Sequence, residues 1–308
     1  MTVAFVFPGQ GSQAVGMGRD LAEAFPAARH VFEEVDDALD QKLSKVMFEG
    51  PEETLVLTEN AQPALMAVSM AVMRVLAEEG DITLADKAAF VAGHSLGEYS
   101  ALAAASAISL GDAARLLKLR GQSMQKAVPV GVGAMAAIIG PELDAVRNIA
   151  TEAAAGDVCD VGNDNAPGQV VLSGDKAAVE RAVKIAADQG VRRSIMLPVS
   201  APFHCALMKP AADAMEEALA ETQLLAPVVP VVANVTAEAV SDPALIRELL
   251  VRQVTEMVRW RECVLYMKGQ GVDTLVELGA GKVLGGLTRR IDREMTGRSV
   301  QGPDDIEE

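Results

Sequence analysis

The feature that most constrains the fold is an apolar run that ends at a glycine-flanked serine and continues as a helix. Residues 88–102 read "AAFVAGHSLGEYSAL"; the first half favours a buried strand and the second half a helix. Other short apolar runs followed by helices occur along the chain, beginning with "VAFVFPG" near its start. Strands that alternate with helices predict an α/β protein with a mainly parallel sheet, covered by helices on both faces.

A different order of elements lies in the middle of the chain. Between residues 128 and 198 the apolar patterns predict strand, helix, strand, strand, helix, strand, and this βαββαβ order is the ferredoxin-like motif. We therefore expect a small inserted subdomain at 128–198, with a large domain formed by residues 1–127 and 199–308. The polar, acidic segment "RSVQGPDDIEE" at 298–308 is expected to be frayed.

Composition excludes several classes of protein. The formal net charge is −16 and aromatic residues make up 3% of the chain, which opposes binding to nucleic acid. The first residues lack a basic region and no apolar run is long enough for a membrane span, so we expect a cytoplasmic protein. Three widely spaced cysteines indicate neither disulfides nor a zinc site. No metal or dinucleotide motif is present, and "GAGKVLGG" lacks the spacing of a nucleotide loop.

Ser95 lies in a pattern typical of a catalytic nucleophile. The segment "GHSLG", residues 93–97, fits G-x-S-x-G, the nucleophile elbow, in which a strand turns sharply into a helix and exposes the serine hydroxyl. The helix that begins after the serine also points backbone N–H groups at the site, which favours developing negative charge. The alternative is a purely structural glycine-rich turn.

A serine nucleophile needs a base, and the chain contains three histidines. His94 adjoins the serine, and neighbouring side chains rarely face each other across a tight turn. His30 lies on an amphipathic helix, where a structural role fits better. His204 lies between a proline-restricted loop and a predicted helix, whose positive end would lower its pKa and keep it neutral. We favour His204 as the base over a structural loop histidine.

Arg120 is placed by helical spacing on the apolar face of the segment "LGDAARLLKLRGQSMQKA", beside Leu116, Leu117 and Met124. Arginine is seldom buried without an anionic partner, because an unpaired interior charge is costly. A structural salt bridge to one of the many acidic residues is one explanation, and a binding site for an anionic substrate is the other.

Six segments, taken together and in this order, resemble the malonyl-CoA:acyl carrier protein transacylases and the related acyltransferase domains of polyketide synthases. They are "FVFPGQGSQ", "GHSLGEYSAL", "LLKLRGQSMQ", "NDNAPGQVVLSG", "PFHCALMKPAA" and "ELGAGKVLGGLTRR". The resemblance covers almost the whole chain. It implies an α/β-hydrolase-like core with a ferredoxin-like subdomain, in agreement with the order of elements.

The resemblance also implies residue roles. Ser95 would form the acyl-enzyme, with His204 as its base. The other implied roles are an oxyanion hole from the backbone N–H groups of Gln10 and Leu96, orientation of the histidine by the backbone carbonyl of Gln253, binding of the malonyl carboxylate by Arg120, polar lining by Asn163 and Gln62, and selection of malonyl over methylmalonyl groups by Phe203. For Asn163 and Gln62 a capping or loop hydrogen-bonding role is the alternative.

By this resemblance the chain is a ping-pong acyltransferase that moves malonyl groups from malonyl-CoA to holo acyl carrier protein. It would need no cofactor and would act as a monomer. A serine thioesterase or other hydrolase, a trans-acting polyketide synthase acyltransferase, and a carrier-protein docking scaffold without activity are the alternatives. For a hydrolase, the acidic triad residue would be sought between serine and histidine, where several aspartates lie.

Overall fold

The structure is a computed structural model and describes residues 2–307 of the chain. The strands are β1 (Val3–Phe7), β2 (Ala88–Gly93), β3 (Gly133–Ile139), β4 (Cys159–Ala166), β5 (Gln169–Asp175), β6 (Arg193–Met196), β7 (Val231–Val232), β8 (Ala239–Val240), β9 (Thr274–Leu278) and β10 (Thr296–Val300). The helices that precede β6 are α1 (Arg19–Ala24), α2 (Pro26–Leu39), α3 (Leu43–Glu49), α4 (Glu52–Leu55), α5 (Thr58–Glu79), α6 (Leu84–Lys87), α7 (Gly97–Ala104), α8 (Leu110–Ala127), α9 (Leu143–Ala154) and α10 (Lys176–Asp188). Those that follow it are a 3₁₀ turn (Ala206–Met208), α11 (Lys209–Glu221), α12 (Pro243–Gln253), α13 (Trp260–Gly269), α14 (Val283–Ile291) and α15 (Pro303–Glu307).

The main sheet has six strands in the order β10-β9-β1-β2-β7-β8. Every neighbouring pair is parallel except β7 with β8, which is antiparallel. The prediction of an α/β fold with a mainly parallel sheet is therefore confirmed. No helix within residues 2–307 is both long enough and apolar enough to cross a membrane.

The central strand β1 shows why this sheet is covered on both faces. Phe5 and Phe7 pack into the cluster that contains α2, α5 and α8, whereas Ala4 and Val6 pack into the cluster formed with α13 and α14. Because successive strand residues point to opposite faces, one short apolar strand supplies both cores. The carboxyl ends of β1 and β2 consequently lie side by side between these layers, with Phe7 paired to Gly93.

The second sheet has the order β4-β5-β3-β6, and its neighbouring strands are all antiparallel. Helices α9 and α10 pack on it through small apolar residues such as Ala153 and Ala182. The predicted βαββαβ order is present, and with it the ferredoxin-like part of the fold. The domain limits at 127/128 and 198/199 stay a prediction.

The expectation that the last residues are frayed is wrong for the part that the structure describes. Strand β10 pairs with β9 along its full length, at the edge of the main sheet. Gly297 allows close contact with α14, since a Cβ at this position would lie 2.3 Å from the oxygen of Gly285. The Asp305 carboxylate then accepts the N–H groups of Gln301 and Gly302. An edge strand with few apolar side chains looks like a polar tail in the sequence.

Helices α5 and α8 approach each other closely at Gly121. A Cβ at this position would lie 2.5 Å from Cα of Glu59 and 2.6 Å from the oxygen of Thr58, both backbone atoms that cannot easily move. Helix α5 is buried almost all round, as its apolar sequence predicts. The contact therefore sets the spacing of two central helices.

Gly121→Ala is expected to destabilise the protein by about 1–3 kcal/mol, because the added methyl group overpacks the contact between α5 and α8. Gly111→Ala, in the same helix, is the matched control: its Cβ would meet no atom closer than 3.5 Å, and it should stabilise by about 0.4–1 kcal/mol. Urea unfolding of both variants measures the difference. Equal shifts of the two midpoints would contradict the assigned contact.

Candidate active site

Ser95 lies at the turn between β2 and α7 with a φ of 53°, in the left-handed region that few non-glycine residues adopt. The two flanking glycines make this turn possible. A Cβ on Gly93 would lie 1.9 Å from the carbonyl of Gly97, and a Cβ on Gly97 would lie 2.2 Å from the oxygen of Phe7. The turn thus has the form that the G-x-S-x-G pattern predicts.

The hydroxyl of Ser95 is hydrogen-bonded to a histidine from a distant part of the chain. Its Oγ lies 2.8 Å from Nε2 of His204, whose Nδ1 lies 2.7 Å from the backbone oxygen of Gln253. Because a carbonyl oxygen only accepts, Nδ1 carries the proton and Nε2 accepts the serine O–H. Gln253 is the last residue of α12, where carbonyls lack partners within the helix.

His204 is 3% exposed, and its pKa is lowered to about 3. Burial is the main cause and the nearby positive charge of Arg120 the second. The sequence predicts that a helix end lowers this pKa. In the structure burial is the main cause, and a 3₁₀ turn separates His204 from the start of α11. The imidazole is therefore neutral near pH 7, as a general base must be.

The other two histidines do not contact the Ser95 hydroxyl. Nε2 of His94 lies 2.8 Å from Oδ1 of Asn165, on β4, and burial lowers the pKa of this histidine. His30 is exposed on α2. Of the three, the structure brings only His204 to the serine.

Arg120 is 1% exposed and points at the same serine. Nη2 lies 3.1 Å from Oγ of Ser95 and 2.9 Å from Oε1 of Gln253, and Nη1 donates to Oε1 of Gln62 at 2.7 Å. Nε has no partner, and the guanidinium carbon lies 5.8 Å from the ring centre of Tyr99. Within residues 2–307 no carboxylate forms a salt bridge with it, so the structural salt bridge considered as an alternative is wrong.

The two residues expected to form an oxyanion hole follow neighbouring strands. Gln10 lies in the loop after β1, and Leu96 precedes α7 directly after Ser95. In the part of the chain that the structure describes, neither backbone N–H donates to a protein acceptor, whereas the side chain of Gln10 donates to Oγ1 of Thr58 at 3.3 Å. Both N–H groups are thus available at the edge of the sheet where Ser95 lies.

The remaining expected residues differ in position. Gln62 contacts Arg120, as described. Asn163 lies on β4 and is 6% exposed, and no hydrogen bond joins its side chain to the Ser95 network among the described residues. Phe203 is 9% exposed and packs within the main hydrophobic cluster. Their assigned roles stay predictions.

Two residues near Ser95, Asn234 and Glu98, are not predicted from the sequence. Asn234 follows β7; its Oδ1 accepts the N–H of Ser95 at 2.8 Å and its Nδ2 donates to the oxygen of Gly93 at 2.7 Å. Glu98, one turn after the serine, is 2% exposed and accepts the N–H of Asn234 at 3.0 Å. The side chain of Gln253 adds a bond from Nε2 to the oxygen of Ser95 at 3.0 Å. The sequence does contain a signal for Glu98, because it is the one charged residue in the mostly apolar helix α7.

The site also borders a cavity of about 1350 Å³ between α9 and α13, lined in part by His204, Asp164 and Arg261. Among residues 2–307, no group of three or more histidine, cysteine, aspartate or glutamate side chains is arranged to hold a metal ion. The hydrogen bonds of Ser95 to His204 and Arg120 offer the chemistry of a base-activated serine beside a buried cation.

His204→Ala is expected to slow the reaction of Ser95 with a small uncharged serine reagent, such as phenylmethylsulfonyl fluoride, by about 10²-fold or more, the usual contribution of a general base. His94→Gln is the control, because this side chain is bonded to Asn165 and not to Ser95. The rate of mass increase of the Ser95 peptide measures both. Equal slowing in the two variants would contradict the dyad.

Comparison with known proteins agrees with this geometry. The sequence profile of the family described as "Acyl transferase domain" matches residues 4–291. A malonyl CoA-acyl carrier protein transacylase of Escherichia coli (strain K12) is 48% identical over 300 residues, which cover 97% of this chain and 96% of the relative.

Solved structures give the same result. An acyl-carrier-protein-S-malonyltransferase from Bartonella henselae is 55% identical, with a TM-score of 0.97 and coverage of 100% of this chain and 98% of that chain. A holo complex of a type II PKS acyl-carrier protein with its malonyl-transacylase contains a chain 44% identical, with a TM-score of 0.96 and coverage of 100% and 98%. By sequence and by fold, over nearly its full length, the chain belongs to the malonyl CoA-acyl carrier protein transacylase family of acyl transferases.

Proposed function

We propose that the protein transfers malonyl groups from malonyl-CoA to the phosphopantetheine thiol of holo acyl carrier protein through a malonyl ester of Ser95. The names of its relatives support the reaction, and the complex of a malonyl-transacylase with a carrier protein supports the partner. The single observation that carries the choice of acyl group is Arg120, a buried cation with only neutral hydrogen-bond partners beside the nucleophile.

A malonyl thioester supplies the anion that Arg120 lacks. In malonate the free carboxylate is two bonds from the carbonyl carbon that Ser95 attacks, so both ends of the group fall within reach of the two side chains. A guanidinium binds a carboxylate through two parallel N–H···O bonds, which lysine cannot do. An acetyl group would leave the guanidinium without a directly bonded anion, which a hydrogen-bonding site penalises strongly.

The first half-reaction begins as the Ser95 hydroxyl gives its proton to Nε2 of His204 and attacks the thioester carbonyl carbon. The resulting oxyanion accepts the backbone N–H groups of Gln10 and Leu96. The carbonyl re-forms as the bond to sulfur breaks, and CoA leaves as the thiol with the proton from His204. The carrier-protein thiol then gives its proton to His204 and attacks the ester, and Ser95 leaves as the protonated hydroxyl.

Hydrolysis is the less favoured reaction. A hydrolase of this fold usually places a carboxylate on the second nitrogen of the histidine. In this chain Nδ1 of His204 contacts the carbonyl of Gln253 instead. None of the aspartates that lie between Ser95 and His204 in the sequence, among them Asp112, Asp157, Asp160, Asp164 and Asp175, is therefore the partner of Nδ1.

The transfer needs no cofactor, because the protons and the acyl group move among the serine, the histidine and the two thiols. All the side chains and backbone groups involved come from one chain, which supports action as a monomer. We also place the enzyme in the cytoplasm. We assign residues 1–127 and 199–308 to the catalytic domain and 128–198 to the ferredoxin-like subdomain.

Arg120→Ala is expected to lose most malonyl transfer and to gain relative acetyl transfer, with the malonyl/acetyl ratio of kcat/KM falling by up to about 10⁴-fold. Arg115→Ala is the control on the same helix, where the arginine is paired with Asp112 at the surface. Assays with both acyl-CoA donors and holo carrier protein measure the ratio. An unchanged ratio for Arg120→Ala would overturn its role.

Incubation with malonyl-CoA in the absence of an acceptor should leave the malonyl group on Ser95, mapped by peptide mass spectrometry, and Ser95→Ala should carry none. Adding holo carrier protein should discharge the ester much faster than water does. Label at another residue, or discharge to water at the same rate, would contradict the proposed transferase.

A further inference from the structure

Glu98 is a buried carboxylate that the transfer chemistry does not use. It lies one turn after Ser95 on α7, where Oε2 accepts the backbone N–H of Asn234 at 3.0 Å and Nε2 of Gln253 at 2.9 Å. Within residues 2–307 no lysine, arginine or histidine forms a salt bridge with it. A buried carboxylate without a direct cation is costly, so its position calls for a reason.

The two groups bonded to Glu98 are those that hold the nucleophile. Asn234 and the side chain of Gln253 bind the N–H and the carbonyl of Ser95 and so fix the strained φ of the serine. The backbone of Gln253 also orients His204. Oε2 of Glu98 therefore accepts hydrogen bonds from both residues that hold Ser95 and His204 in position, Asn234 and Gln253.

The same side chain of Gln253 connects Glu98 to Arg120. Nη2 of Arg120 donates to Oε1 of the amide, and the amide nitrogen donates to Glu98. The amide thus points its negative end at the cation and its positive end at the carboxylate. Both charges are buried, and the amide lies between them as a bridge.

We propose that Glu98 is a positioning residue for Ser95 and His204 and the resting counter-charge of Arg120, and that its charge tunes the preference for acyl groups that carry a carboxylate. The second part rests on the proposed function. A malonyl carboxylate at Arg120 brings a second anion near a single cation, and the two anions repel each other. When Glu98 is neutral this repulsion is absent, whereas an acetyl group is indifferent to it.

The preference should therefore depend on pH. Burial raises the pKa of Glu98 to about 7. Burial moves the titration of four surrounding groups away from neutrality, with the pKa of Tyr99 raised to about 12, that of Cys263 raised, that of His204 lowered to about 3 and that of His94 lowered. Burial lowers the pKa of Arg120, but a guanidinium keeps its charge in proteins. As the pH falls from about 8 to about 6, protonation of Glu98 should raise the malonyl/acetyl ratio of the wild-type protein.

Two substitutions separate charge from hydrogen bonding. Glu98→Gln keeps an oxygen that can accept both N–H groups but removes the charge; we expect the malonyl/acetyl ratio at about pH 8 to rise about fivefold or more and its pH dependence to disappear. Glu98→Ala removes the acceptor; we expect the reaction of Ser95 with phenylmethylsulfonyl fluoride to slow about tenfold or more, and both acyl donors to lose rate together.

Glu277→Gln is the matched control, because Glu277 is a buried carboxylate on β9 that accepts the N–H of Gly285 and has no bond to the Ser95 network. It should change neither the ratio nor the reactivity of Ser95. A Glu98→Gln protein with the wild-type ratio and pH dependence would overturn the charge assignment, and a Glu98→Ala protein with wild-type Ser95 reactivity would overturn the positioning role.

The test remains decisive if a variant fails to fold, since a wild-type ratio that is flat between about pH 6 and about pH 8 overturns the charge assignment by itself. Failure of the proposed function gives a different result. The wild-type protein would then form no malonyl ester at all, while the serine reagent would still report on positioning.

Discussion

The site depends on Gln253, which uses both its backbone and its side chain. The backbone carbonyl holds Nδ1 of His204, and the amide reaches Ser95, Glu98 and Arg120. The residue can do this because it ends a helix, so its carbonyl is free while its side chain points into the interior. Ser95, His204 and Arg120, which come from three separate parts of the chain, are thereby all hydrogen-bonded to Gln253.

The charges around Ser95 and His204 therefore differ from those in a Ser-His-Asp triad. A triad places a carboxylate against the histidine, which stabilises the imidazolium. In this protein a neutral carbonyl occupies that position, and the positive charge of Arg120, after burial, helps to lower the pKa of His204 to about 3. The histidine is thus held in the form that accepts a proton, and the carboxylate Glu98 is connected to the arginine instead.

Much of the fold and part of the site can be predicted from the sequence. Apolar runs and glycine positions indicate the strands, the helices and the turn at Ser95, because these depend on local patterns. His204 could be selected because the chain contains so few histidines. Asn234 could not be found this way, since its bond to Ser95 spans 139 positions and only the folded sheet brings β2 and β7 together.

Other differences have a similar origin. The pKa of His204 depends on burial by the whole fold, which no local segment reveals, and a helix end was the only cause visible in the sequence. Edge strand β10 is polar because it needs little core packing, so composition alone resembles a free tail. Arg120 illustrates the reverse case: its apolar surroundings are visible in the sequence, while the absence of a partner carboxylate within residues 2–307 needs coordinates.

Gly121, where α8 touches the backbone of α5, has a consequence for chemistry as well as for packing. The residue before it is Arg120, whereas Ser95 belongs to the turn between β2 and α7. The absence of a side chain at this one contact lets α8 settle against α5, and the guanidinium comes within 3.1 Å of the serine oxygen. Under the role proposed for Arg120, the spacing of α8 and α5 limits the length of the acyl group that fits between the guanidinium and the serine.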